Sequence, residues 1–159
     1  VLKLLLYDVG LIFVFLKQKQ LLMKKLVALL TVLILFSCNS AKTSKTITYQ
    51  VLTDSAYKGK KKESFEVIDN HNDLKKIYTT VEDELVPNVD FAKSRVVALF
   101  MGEKNTGGYA IGIDEVRQEG NKVIIKVKKF YPDGMTTMAF TQPYLIAKIN
   151  TTKKIEFEE

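Results

Sequence analysis

The chain has 159 residues, 47% of them hydrophobic, with one cysteine and a net charge of +6. That length supports one domain with a substantial apolar core, and a single cysteine excludes an internal disulfide and a cysteine-built zinc site. The charge does not point to nucleic acid: residues 1–37 hold five lysines and one aspartate, while from Cys38 onward 19 basic residues face 17 acidic ones, interleaved as on an ordinary solvated surface.

Residues 1–22, VLKLLLYDVGLIFVFLKQKQLL, precede what reads as a complete signal peptide. A valine at position 1 is what a GTG start codon gives when translated literally. Residues 1–22 are therefore read as an extension called too far upstream, with the product expected to begin at Met23. From Met23 the chain reads MKKLVALLTVLILFSC. Lys24 and Lys25 form a basic start, Leu26 to Phe36 an apolar stretch too short to span a bilayer, and Ser37 a small residue before Cys38. This is the layout of a secretory signal peptide over 23–37. The ending Leu35-Phe36-Ser37-Cys38 resembles the bacterial lipobox, with Phe36 where a small or β-branched residue is usual. The resemblance implies cleavage before Cys38, acylation of its thiolate and a lipoprotein held on a membrane of the cell envelope. The outer membrane or cell surface is expected rather than the inner membrane. Residues 38–46, beginning CNSAKTSK, read as a short polar tether carrying that lipid.

Residues 47–159 are expected to form a single α+β domain: a mainly antiparallel β-sheet with one helix. ITYQVL (47–52) and SFEVI (64–68) read as strands, separated by the loop AYKGKKKE. In DNHNDLKKIYTTVEDEL an Asn or Asp can cap, and Leu74, Ile77, Tyr78 and Val81 fall on one helix face. Pro87 and Asn88 end that segment in a loop. RVVALFMG (95–102) has no alternation and predicts a strand buried on both faces. YAIGIDEV (109–116) and KVIIKVKKF (122–130) alternate, joined by a hairpin turn in which Gly120 and Asn121 are expected to supply positive backbone angles. Ile124 breaks the alternation of its strand, which predicts cover on that side. The connection YPDGMTTMAFTQP leads to YLIAKI (144–149) and KIEF (154–157). Within it Met135, Met138 and Phe140 read as core in preference to contact residues.

The segment VVALFMGEKNTGGYAI, the hairpin around EGNKVIIKV and the stretch TQPYLIAKI resemble the C-terminal domain of the protease-complex subunit PrcB family over 95–149. Thr106-Gly107-Gly108-Tyr109 and Gln142-Pro143-Tyr144 carry the resemblance most specifically. It implies a non-enzymatic envelope lipoprotein that binds another protein, in the named case as accessory to a surface protease. Asn105, Thr106, Gly107, Gly108, Tyr109, Gln142, Pro143 and Tyr144 then become the candidate partner-binding residues. The physical counterpart is a glycine pair that leaves room for another backbone, beside a Pro-aromatic segment. The alternative for the glycine pair is a plain turn. NTGGY and QPY also echo the paired loops of chagasin-type protease inhibitors, which makes inhibition an alternative function. A structural or small-ligand-binding lipoprotein is the other.

Catalytic material is sparse. His71, the one histidine, reads as a solvated surface residue. Glu82, Asp83, Glu84 and Asp90 are the best acid–base candidates, yet three adjacent acids cannot share one helix face, and a helix C-terminus disfavours them. No catalytic residue, metal, cofactor or nucleic-acid partner is expected.

Overall fold

The computed structural model describes residues 44–159, and Cys38, the signal peptide and most of the tether lie outside the described residues. Eight strands and one helix follow in the order β1 (Lys45–Thr46), β2 (Tyr49–Ser55), β3 (Ser64–Ile68), α1 (His71–Thr80), β4 (Arg95–Phe100), β5 (Ala110–Glu119), β6 (Lys122–Phe130), β7 (Tyr144–Ile149) and β8 (Lys154–Glu158). Lys45 and Thr46, read from sequence as the end of the tether, pair with Gln118 and Arg117 of β5.

The strands make two sheets rather than one: a central sheet in the order β2-β7-β4-β3 and a second sheet in the order β1-β5-β6-β8. All pairs are antiparallel except β6 with β8. The exception follows from the path. β7 ends at the same edge of the molecule at which β6 begins, so β8, entering there after a short crossover, must run beside β6 in the same direction.

Two cores result. Val97 and Leu99 of β4, with Leu145, Ala147 and Ile149 of β7, face Ile111, Val116, Val123, Ile125, Val127 and Ile155 of the second sheet. Val96, Ala98 and Phe100, with Tyr144 and Ile146, face Leu74, Ile77, Tyr78 and Val81 of the helical segment. The unbroken apolar run of β4 is therefore buried on both sides, as its lack of alternation predicts. No helix among the described residues is long and apolar enough to cross a membrane.

Local chemistry sets the element ends. The Asn70 side chain accepts from Asp73 N at 2.9 Å and donates to the Asp73 carboxylate at 2.7 Å, a reciprocal N-cap. The helix stops at Thr80, short of the acidic run that sequence placed in it. Glu82 takes φ +54°, and Glu82 N and Asp83 N donate to Thr79 O and Tyr78 O, closing a Schellman motif. In the β5–β6 turn only Gly120 has positive φ, at +60°; Asn121 does not, so the turn has its glycine at the first central position. A bulge at Asp114 shifts the phase of β5, so that Ile111, Ile113 and Val116 all point inward. Ile124 faces outward yet is buried, flanked by Arg117 across on β5 and Glu156 across on β8. Arg117 is held there by Glu115, Glu119 and Glu158. The cover predicted for Ile124 is therefore this layer of long charged side chains.

Two outcomes follow. Glu82→Gly removes the left-handed strain on a side-chain-bearing residue and loses only an exposed ion pair to Lys58, 3.1 Å away. Urea titration should show the variant more stable by about 0.5–1 kcal/mol. Burial raises the Tyr78 hydroxyl to about 12. The folded state holds that proton more tightly than the unfolded chain, so the stability it contributes is complete below pH ~10 and is lost as pH rises through about 12. Melting curves across that window should fall less steeply for Tyr78→Phe than for the native chain.

A candidate contact site at one end of the sheets

The β4–β7 pairing does not stop where the strands end. Beyond Phe100 and Tyr144, Met101 N donates to Pro143 O at 2.9 Å, and Lys104 and Thr141 form a further antiparallel bridge with N–H to O distances of 2.8 and 3.0 Å. Thr141 Oγ1 then donates to Thr106 O at 2.8 Å, and Gln142 Nε2 to Glu103 Oε2 at 2.7 Å. The two segments singled out in sequence, 105–109 and 142–144, thus lie side by side at one end of the molecule. The lysine-rich loop joins them: Gln142 N donates to Ala56 O at 2.8 Å, and Gly59 N to Gln142 O at 2.9 Å. A Cβ on Gly59 would lie 2.4 Å from Gln142 O, so this close approach requires glycine.

The residues of the site play different parts. Pro143 is buried, and Tyr144 is 5% exposed with its ring against Phe100, centroids 6.2 Å apart. Neither presents a surface to a partner, because β7 is a central strand and its first residue turns toward the helix. The expectation that Tyr144 is a contact anchor is corrected accordingly, and the Pro-aromatic half of an inhibitor-like loop pair is not on display. Gln142 is half-buried and Asn105 exposed. Tyr109 packs against the core between the sheets and meets Tyr131 edge-on at 6.0 Å, with Lys104 Nζ 5.9 Å from its ring centroid.

Gly107 and Gly108 are a seat. Gly107 N donates to Thr137 O at 3.0 Å, and a Cβ there would stand 2.4 Å from Thr137 Oγ1. Gly108 has φ +89°, and a Cβ on it would meet Pro132 Cβ at 2.8 Å. The glycine pair is bare because the 131–140 loop rests on it. That loop carries the residues that sequence reading weighed as core or contact and placed in the core. Met135 and Met138 are fully exposed, Phe140 is 70% exposed and Tyr131 65%. Four large apolar side chains on one ten-residue segment are held out to water and belong to the surface rather than to the core. Composition favoured core for the two methionines and Phe140. The sequence signal for exposure was the loop's lack of either regular period around Pro132-Asp133-Gly134.

Two of the four acids considered for catalysis serve the backbone, and Glu82 pairs with Lys58. Asp83 Oδ1 and Asp90 Oδ1 accept from Leu85 N and Ala92 N, each at 3.0 Å. Among the described residues, no group of three His, Cys, Asp or Glu side chains is placed to hold a metal.

Residues 95–150 match the family model described as PrcB C-terminal, about a third of the chain. The matched segment runs from β4 through β7 and contains both the glycine seat and the loop upon it. No curated protein and no solved structure matches the chain.

The seat makes a specific prediction. Gly107→Ala should destabilise by about 1–3 kcal/mol through overpacking against Thr137. Adding Thr137→Ala should restore most of that loss, while Thr137→Ala alone has little effect. A double-mutant cycle by urea denaturation reads the coupling, and additive effects would dissociate the glycine from the loop.

Proposed function

We propose that this chain is a PrcB-family envelope protein acting as a non-catalytic protein-binding module, an accessory to a surface protease. The family match supports an accessory, protein-interacting role in an envelope context. The observation that carries the reading is the 131–140 loop: an apolar surface held open to solvent on a glycine seat, inside the matched segment. Loops placed on a rigid scaffold are where recognition concentrates, and methionines adapt to the shape of what they meet.

In this reading Cys38 carries the lipid and the domain works as a membrane-held adaptor. That part rests on the lipobox-like sequence ending at Cys38. The partner contacts Tyr131, Met135, Met138 and Phe140, with Asn105 and Gly108 beside them. Gly107 and Gly108 seat the loop from below, and Thr106, Pro143 and Tyr144 belong to the ladder and core behind it.

The double variant Met135→Asp, Met138→Asp touches only exposed side chains, so its stability should stay within ~0.5 kcal/mol of the native chain. Co-isolation of an envelope protein with the chain, measured in membrane extracts, should be lost. Undiminished co-isolation would remove this loop as the contact. In parallel, mass spectrometry of the Cys38 peptide and the membrane fraction of Cys38→Ser report on lipidation independently of the loop.

A further inference from the structure

From Cys38 onward the methionines are Met101, Met135 and Met138, and the fold gives them opposite environments. Met101 is 1% exposed and belongs to the core between the sheets, with Leu99 and Leu145. Met135 and Met138 are as exposed as isolated residues. The backbone between them is anchored: Thr137 O accepts from Gly107 N and from Ala139 N, each at 3.0 Å. Both side chains stand out to water on either side of that anchor.

We propose that Met135 and Met138 are a reversible oxidation site, each taking one oxygen atom from a peroxide-class oxidant while Met101 and the fold stay intact, so that the loop turns from apolar to polar. In the forward step a lone pair of the thioether sulfur attacks one oxygen of hydrogen peroxide. The S–O bond forms, the O–O bond breaks, and the departing hydroxide takes the proton of the sulfur-bound hydroxyl and leaves as water. Sulfur loses two electrons and the peroxide gains them. In the reverse step two thiols of a methionine sulfoxide reductase supply two electrons and two protons, the oxygen leaves as water, and the thiols become a disulfide. The forward step needs collision between sulfur and oxidant. Exposure supplies it at 135 and 138, whereas at Met101 the core must open first.

Position also sets the consequence. An added oxygen at 135 or 138 projects into solvent and displaces no packed atom, so the fold loses little. At Met101 the same oxygen would be a polar group in an apolar core, with the full cost of burial. On the loop, a sulfoxide replaces a flexible apolar side chain by a polar one. With both modified, Tyr131 and Phe140 are what remains of the loop's large exposed apolar side chains. The oxidation rests on exposure alone. Its effect on a partner, loss of the contact under oxidants, rests on the adaptor reading above.

The test uses the full chain in detergent, carrying Cys38→Ser so that no thiol consumes the oxidant. Hydrogen peroxide is applied to the folded chain and to the chain in guanidinium chloride, and peptide mass spectrometry follows the added oxygen at each methionine. In the folded chain 135 and 138 should react within about twofold of their unfolded rates, and Met101 roughly tenfold or more slowly than either. The melting temperature of the doubly oxidised chain should stay within about 3 °C of the untreated one. Reductases for both sulfoxide epimers, with dithiothreitol, should remove the oxygens. Equal rates at all three methionines, protection of 135 and 138 in the folded chain, loss of the fold, or sulfoxides that resist both reductases overturns the site. Co-isolation from membrane extracts is then compared for the treated chain and for Met135→Leu, Met138→Leu, which stays apolar and does not take up oxygen. Peroxide should abolish co-isolation with the methionines present, reductase should restore it, and the leucine variant should keep it throughout. Co-isolation that survives full oxidation overturns the switch. Failure of the untreated chain to co-isolate any protein counts against the adaptor reading and leaves the oxidation site standing on the first measurement.

Discussion

The two inner strands of the central sheet, β4 and β7, are buried on both faces, and the rest of the molecule is arranged around that constraint. Each must be apolar at successive positions, one set facing the second sheet and the other facing the helix. A strand with no solvent face cannot tolerate a one-residue slip without exchanging its two sets of partners. The register of the pair is therefore strongly specified, and it continues outward. Met101–Pro143 and Lys104–Thr141 are the same antiparallel ladder carried past the point where the strands end. The order of the contact end is thus an extension of core packing.

That continuity explains why the most recognisable residues of the chain are not themselves the exposed ones. Tyr144 begins a central strand and belongs to the core; Pro143 and Thr141 are buried beside it. Gly59, Gly107 and Gly108 mark places where other atoms come within the distance a Cβ would occupy. They are absences of side chain that let three loops meet. The surface available to a partner is what these residues support, and Met135, Met138 and Phe140 occupy it.

Charge is used elsewhere. The outer face of the second sheet carries Arg117 among three glutamates, Lys122 with Glu156, and Asp114 at its bulge with Lys126. Hydrogen bonds from Lys126 hold the Asp114 carboxyl below its ordinary range, and those from Lys122 and Lys154 do the same for Glu156. These groups are solvent-accessible, so their pairing adds little stability individually. Their clearer effect is geometric: they cover Ile124 and, with the bulge, make the edge of the sheet unattractive to further strands.

The sequence by itself determined the elements. A two-faced apolar run made β4, period-two alternation made β5 and β6, and Leu74, Ile77, Tyr78 and Val81 at helical spacing made the helix; each pattern records the local geometry of burial. It also carried the family resemblance, because glycines and a proline needed for close approach are visible as residue types. Tertiary structure alone decided the rest. The division into two sheets and the parallel β6–β8 pair depend on where β7 ends in space, which no local period encodes. The end of the helix at Thr80 depended on Glu82 adopting a left-handed conformation that its residue type does not favour. Whether Met135 and Phe140 are core or surface turned on a loop with no period at all. Hydrophobicity places such residues inside when space is open to them, and here the space beneath the loop is already filled by the backbone of Gly107 and Gly108.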